Sequence, residues 1–476
     1  VIGLAAFVLP LAAGWCFVAA LLRRHPMKPA WAASALTFAL GAGGGIAASS
    51  VLFFLLALCG VASPVAILLL DLALLAASLA ALWRTRGKAP EPPASAAPPA
   101  FRWNWLLALA LAAGLALVLS GLISTAAANP LGDWDAWAIW NLRAKFLAGP
   151  GAAWKGALSP LLAHSHPDYP LLSSGFVAMV WKAFGRAAPW VPQLTGFLFL
   201  GMVFALLAGA LSILRGLTAA LLAGFVLLVS TSFLFLATMQ YADLPLSFYY
   251  LAALALLMLG SAKPAAAPLC LALSGTFASF AAWTKNEGVP FVVLLLLCVV
   301  AVEWRALGLR PALASAKRYV LGAAPVLALV ACFKLFLAPA ADPLLRQSAA
   351  QVAHKLADPG RYAQIGKALA FQVYHFGLPS SHPLLLLAIL ALALRFRIDQ
   401  PHARALRASA LALALVFASY CGVYVITTND LAWHLDTSLA RLYGQVWPGV
   451  LLLAFLVLNA PGAAGPSPKP KGAARK

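Results

Sequence analysis

"LLALALAAGLALVLSGLIS", residues 106–124, contains no charged side chain and no proline. As an α-helix such a run is about 28 Å long, close to the ~30 Å thickness of a bilayer's hydrocarbon core. Hydrocarbon offers no partner to a backbone amide, so a segment of this kind bonds to itself as a membrane-spanning helix. Comparable runs recur along the chain. Of its 476 residues 63% are hydrophobic and only 10% are charged, and its mean hydropathy is +0.91. The chain therefore reads as an all-α polytopic membrane protein with about thirteen transmembrane helices. They begin near Val1, Ala30, Pro64, Trp103, Trp190, Leu217, Asp243, Pro264, Gly288, Tyr319, His382, Ala408 and Leu442. The second contains "GAGGG" (41–45), which predicts a kink or a tilt. The first apolar run lacks a basic leader region and a clear cleavage site, so it is expected to be a retained span.

The net charge of +20 has two readings, an anionic partner such as nucleic acid or a topology signal. Placing "RRHPMK" (23–28) in the cytoplasm and alternating from there puts 21 of the 33 Lys and Arg residues in cytoplasmic loops. Only Asp71, Glu91, Glu303 and Asp399 lie on or near that side. The asymmetry follows the positive-inside rule and leaves no need for nucleic acid. The partner it does imply is the lipid bilayer, and the location a plasma (inner) membrane crossed many times. The other nine acids fall on the non-cytoplasmic side, in long loops at roughly 126–189, 340–381 and 428–441. The Pro- and Ala-rich stretch 84–102 reads as a cytoplasmic linker. It separates a three-span accessory bundle (1–83) from a core (103–460), which a basic cytoplasmic tail (461–476) follows. The six cysteines all lie in apolar stretches without metal or disulfide spacing, so they read as small hydrophobes.

Directly after the 106–124 span comes "GDWDAWAIWNLRAKF" (132–146). Helical spacing over 134–147 gives a broad Trp-rich surface suited to a helix lying in the membrane interface. Asp133 and Asp135 stand at its start, where an N-cap and a first-turn acid are the purely structural explanation. Two residues apart, their carboxylates diverge by about 200° on a helix and share a face if the stretch is extended; either way one can point into a cavity while the other caps or braces. "HSHPDYPLL" (164–172) places Asp168 and Tyr169 in the same loop, beside histidines that read as loop residues. "QYADLPLSFYY" (240–250) sets Asp243 at a span mouth, where a helix cap is again the plain alternative. "WTKNEGVPF" (283–291) puts Lys285 and Glu287 at a break between spans, a place where charges often line a binding site. "TTNDLAWHLDTSLARLYGQVWP" (427–448) gathers Asp430, His434, Asp436 and Arg441.

Together "DWDAWAIWNLRAKF…HPDYPLL", "YADLPL", "TKNEG" and "DLAWHLDTSLARL" resemble the GT-C membrane glycosyltransferases, in the branch near the protein O-mannosyltransferases and lipid A aminoarabinose transferases. The resemblance spans roughly 103–460 and implies a GT-C-like core with interfacial helices in the first large outer loop. It also implies a polyprenyl-phosphate sugar as donor, a glycan, lipid or protein acceptor, and inverting transfer on the non-cytoplasmic face. The family's catalytic carboxylate lies in that first outer loop, matching Asp133 or Asp135. The chain departs from the pattern in having three earlier spans, and Asp-Trp-Asp in place of adjacent Asp-Glu. The chemistry needs a base for the acceptor hydroxyl and cations for the leaving phosphate. Lys285, Arg441, Arg143 and Lys145 suit the phosphate, and Asp168, Tyr169, Asp243, Glu287, His434 and Asp436 suit the substrates. Nucleotide sugars are cytoplasmic, so an outward Asp-x-Asp predicts no metal and no cofactor. A transporter or lipid flippase would also use intramembrane charge and broken helices, and an oligosaccharide polymerase or ligase would also face outward.

Overall fold

The computed structural model describes residues 2–87, 102–339, 343–376, 382–396, 398 and 402–459. Most of the 84–102 linker, and the 461–476 tail, lie outside the described residues, as does Asp342. Within them the regular structure is helical, with one isolated bridge between Phe396 and Leu458.

The first three helices are α1 (Ile2–Leu22), α2 (Ala30–Leu58) and α3 (Pro64–Arg84). The span quoted above lies in α4 (Asn104–Ala128). After it come the short α5 (Asn141–Ala148) and α6 (Leu172–Phe184), then α7 (Trp190–Leu214), α8 (Leu217–Leu228) and α9 (Thr231–Met239). Next are α10 (Asp243–Ala262), α11 (Ala267–Thr284), α12 (Gly288–Leu307) and α13 (Leu309–Cys332). The chain ends with α14 (Ala349–Ala357), α15 (Pro359–His375), α16 (Pro383–Leu394), α17 (Ala403–Ile426) and α18 (Leu431–Val457).

Among the described residues eleven helices are long and apolar enough to cross a membrane, and α8 with α9, bent by 70°, makes a twelfth. The thirteenth expected span, near His382, is the twelve-residue α16, too short to cross by itself. Two starts also move. α13 begins at Leu309 rather than Tyr319, and α18 at Leu431 rather than Leu442. Both helices carry polar first turns, which hydropathy reads as loop. The Asp430 carboxylate fixes the second start by accepting from the Trp433 amide at 2.8 Å. His434, Asp436 and Arg441 therefore ride on the first three turns of α18, not on a loop.

Helix α10 organises the core. Every residue from Asp243 to Gly260 is buried, as expected of a helix that is apolar all round. The expected N-terminal accessory bundle packs directly against the core through α2. α2 threads into the same core, where its Gly43 carbonyl accepts from the Tyr249 hydroxyl at 2.9 Å. Phe54 packs on Trp283 and Phe333 with ring centroids 5.5 and 6.1 Å away. "GAGGG" makes this possible without breaking the helix. A Cβ on Gly45 would stand 2.0 Å from the Pro10 carbonyl of α1, and one on Gly43 would stand 2.2 Å from the Phe248 ring of α10. The glycines let α2 sit between two neighbours, and it runs unbroken for 29 residues.

Arg441 of α18 meets Asp135, just past α4, and Asp243, at the start of α10, while Lys285, just past α11, also meets Asp243. The ends of α4 and α11 and the starts of α10, α12 and α18 therefore lie together. The opposite end is tied by cations on helix-end carbonyls. Arg215 donates to Leu458 at 2.7 Å, Lys263 to Pro26 at 2.5 Å and Arg23 to Leu82 at 3.2 Å.

Candidate functional site

The chain leaves α4 through Gly132, whose φ of +76° suits glycine, and a Cβ there would stand 2.7 Å from the Met239 carbonyl. The Asp133 amide donates to that same carbonyl at 3.3 Å, pinning the turn to the end of α9. The two acids then part. Asp133 is exposed; its carboxylate accepts from the Trp134 amide at 2.7 Å and its carbonyl from the Ala136 amide at 2.9 Å. Those are capping contacts. Asp135 turns inward, and its Oδ2 lies 2.8 Å from Nη2 of Arg441. The expected interfacial helix begins as a π-helical turn, Ala136–Trp140, before α5. Trp134 and Trp137 stay exposed with their rings 4.4 Å apart, while Trp140 is buried.

Arg441 joins three elements. The same Nη2 lies 3.2 Å from Oδ2 of Asp243, and its guanidinium sits 4.6 Å over the Tyr241 ring. The Tyr241 hydroxyl in turn accepts from the Asp135 amide at 3.4 Å. Burial, then the Asp135 charge, push the Tyr241 phenol above its ordinary pKa, so it stays protonated. Asp243 is fully buried at the first turn of α10. Its Oδ1 accepts from Lys285 at 3.0 Å and from the Gln445 amide at 2.6 Å.

The turn between α11 and α12 supplies three neighbouring contacts. Lys285 reaches Asp243 and also Glu287, at 2.8 Å. Asn286 donates to Asp168 at 2.8 Å. Burial works against the Lys285 charge, but Asp243 and Glu287 more than offset it and hold its pKa above the ordinary lysine value. A deeper ring of hydrogen bonds lies beneath. Gln445 accepts from the Tyr420 hydroxyl at 2.7 Å, which meets Tyr250 at 3.1 Å, and Tyr250 donates to the Glu287 carbonyl at 2.7 Å.

Beside this network the buried Asp168 is held by Lys334, which donates to its carbonyl at 2.5 Å and lies 3.4 Å from its carboxylate. The half-buried Tyr169 follows it, with the His166 ring stacked 4.6 Å away. Arg143 is fully buried and donates to the carbonyl of Tyr169 at 2.6 Å, with those of Pro167 and Pro170 at 3.5 Å. Burial lowers its pKa to about 10, Asp168 partly offsetting this, so it remains a cation. Its donors brace the 167–170 loop and are not presented to a phosphate. Lys145 is exposed, outside the ion-pair network. His434 is half-buried, with Nδ1 2.8 Å from the Thr427 hydroxyl, and Asp436 is exposed.

Of the sequence candidates, Asp135, Asp243, Lys285, Glu287 and Arg441 come together, with Asp168 and Tyr169 alongside. Asp133, Arg143, Lys145, His434 and Asp436 do not join them. Tyr241, Asn286, Lys334, Tyr420 and Gln445 were not anticipated. Lys334 and Gln445 left a signal, each being a polar side chain in an otherwise apolar stretch. The tyrosines left none, since Tyr is common at span ends.

Two cavities bear on the site. One of about 30 Å³, enough for a water, lies behind the Asp-Trp-Asp turn against Trp140, Asn141, Ser174 and Tyr241. An apolar cleft of about 440 Å³, lined by Trp31, Leu111, Leu115, Phe204 and Leu221, opens in the half of the bundle away from the charges. No protein-family model, no curated protein and no solved structure matches the chain.

Proposed function

We propose that this chain is a membrane glycosyltransferase, moving a sugar from a polyprenyl phosphate to an acceptor hydroxyl on the non-cytoplasmic face of a plasma membrane. The observation that carries the reading is the partly shielded Asp135–Arg441 pair, 2.8 Å apart at the common end of the spans. It sets a carboxylate base beside a cation able to take a phosphate, with Lys285 behind it on Asp243.

Asp135 removes the proton from the acceptor hydroxyl. The acceptor oxygen bonds to the anomeric carbon as that carbon's bond to the phosphate oxygen breaks, and the lipid phosphate leaves with the electron pair. Arg441 and Lys285 stabilise the charge developing there. In the resting site Arg441 holds the Asp135 carboxylate in an ion pair. A donor phosphate competing for the guanidinium draws it from Asp135 and frees that carboxylate for the acceptor hydroxyl. The prenyl chain runs down the lipid-facing side of α4 to the apolar cleft. Leu115 lies about 20 Å along α4 from Ala128, within reach of a long isoprenoid.

The test uses the full chain in liposomes with a panel of radiolabelled polyprenyl-phosphate sugars and cell-envelope acceptors. Label passing from lipid to acceptor, with free lipid phosphate released in equal amount, supports the reading. Label crossing the bilayer still attached to its lipid replaces it with a flippase.

A further inference from the structure

A second polar site lies in the membrane, away from the network above. Asp71 on α3 is fully buried, and neither of its carboxylate oxygens has a hydrogen-bond partner. It stands about 10 Å along α3 from Pro64, well inside the hydrocarbon region. The Ser49 hydroxyl of α2 faces it, close enough to polarise the carboxyl, though no hydrogen bond is formed. Ser49 is itself buried and unpartnered.

Among the described residues no positive group on the helices packed against α3 faces this pair. α1, which packs along α3, has Cys16 as its sole titratable side chain, and α2 has none. α6, the other neighbour, has only Lys182, whose ammonium is taken by the carbonyls of Ala148 and Gly149 at 3.3 and 2.8 Å. Arg84 lies at the far end of α3 itself. An ionised carboxylate left unpaired in such surroundings costs many kcal/mol and is relieved by taking up a proton or a cation. Among the described residues no group of three or more His, Cys, Asp or Glu gathers to hold a metal ion. A proton needs only what is present, a carboxyl to carry it and a hydroxyl to share it.

We infer that Asp71, with Ser49, is an intramembrane proton-binding site separate from the Asp135–Arg441 centre. Ionising it would place a bare charge between α1, α2 and α3. Proton release is therefore tied to a shift of α3, most of whose surface is exposed.

Infrared difference spectroscopy on the full chain in lipid tests this. The carbonyl stretch of a protonated carboxylic acid is compared between wild type and Asp71→Asn across about pH 5 to 9, where ordinary carboxyls are ionised. A band present in wild type at neutral pH, absent from Asp71→Asn and shifted in frequency by Ser49→Ala, is the expected result. Asp71→Glu should restore a band, which guards against misfolding of the Asn variant. Absence of any wild-type-minus-Asn band over that range, with both proteins folded, overturns the inference. Loss of the band on adding sodium or potassium at fixed pH overturns it too, by making the ligand a metal cation.

Discussion

Arg441 and Asp135 lie 306 positions apart in the chain and 2.8 Å apart in space. One comes from the third turn of α18, the other from the turn after α4. The nitrogen that meets Asp135 also meets Asp243, so one guanidinium joins a partly shielded acid to a fully buried one. Their shared dependence on Arg441 makes the variants below distinguishable.

Asp135→Asn should leave a folded protein whose transfer falls by about 10²-fold or more, the usual scale for lost acid–base help. Asp133→Asn should keep transfer and lose at most about 0.5–2 kcal/mol, the scale of a helix cap. Initial rates with matched thermal melts measure both, and the opposite ranking would make Asp133 the base.

Asp243→Ala removes the fully buried carboxylate that Lys285 and Arg441 share, leaving each with one more exposed partner, Glu287 and Asp135 respectively. Breaking one side of a buried ion pair costs about 3–5 kcal/mol, so this variant should melt far below wild type or fail to accumulate. A melt within a degree of wild type would show the pairing to be solvated.

Leu111→Trp should fill the apolar cleft. If the prenyl chain ends there, KM should rise for long-chain donors and stay unchanged for short-chain analogues, with kcat preserved. An equal rise for both lengths would place the tail elsewhere.

Gly132→Ala forces a side chain into a left-handed turn and towards the Met239 carbonyl. Such strain costs about 1–3 kcal/mol, and the shifted turn should also lower transfer by moving Asp135. Unchanged rate and melt would mean the turn relaxes freely.

Single cysteines at Ser159 and Ser348, in a version lacking the six native ones, should both react with an impermeant thiol reagent in intact spheroplasts. Protection of either alone would put the two loops on opposite sides and overturn the threading.

Membrane class and most span positions were legible because a lipid-facing helix must be apolar over a fixed length, and composition records that directly. The polar first turns of α13 and α18 were not, since hydropathy sees composition and not hydrogen bonding. The place of α2 was also hidden. "GAGGG" predicts weakness in an isolated helix, whereas here the missing Cβ atoms admit the Pro10 carbonyl and the Phe248 ring. In the site, charged residues in an apolar chain identified themselves, and so Asp243, Lys285 and Arg441 were found. Which of Asp133 and Asp135 turns inward depended on the Gly132 turn and its hold on Met239, a tertiary contact that spacing does not encode. The burial of Arg143 was hidden for a related reason: its carbonyl partners lie 24 to 27 residues away.

The cluster's members enter the membrane in a fixed order during synthesis. Asp243 and Lys285 arrive on neighbouring helices and neutralise each other early. Asp135, made long before, has no cation until Leu431–Val457 is inserted. A nascent chain stalled before that helix carries an unmatched acid at the bilayer surface and a half-satisfied Asp243 in its interior. Among the described residues α18 thus supplies the cation that joins the two acids, and a chain made only as far as Ile426 holds both without it.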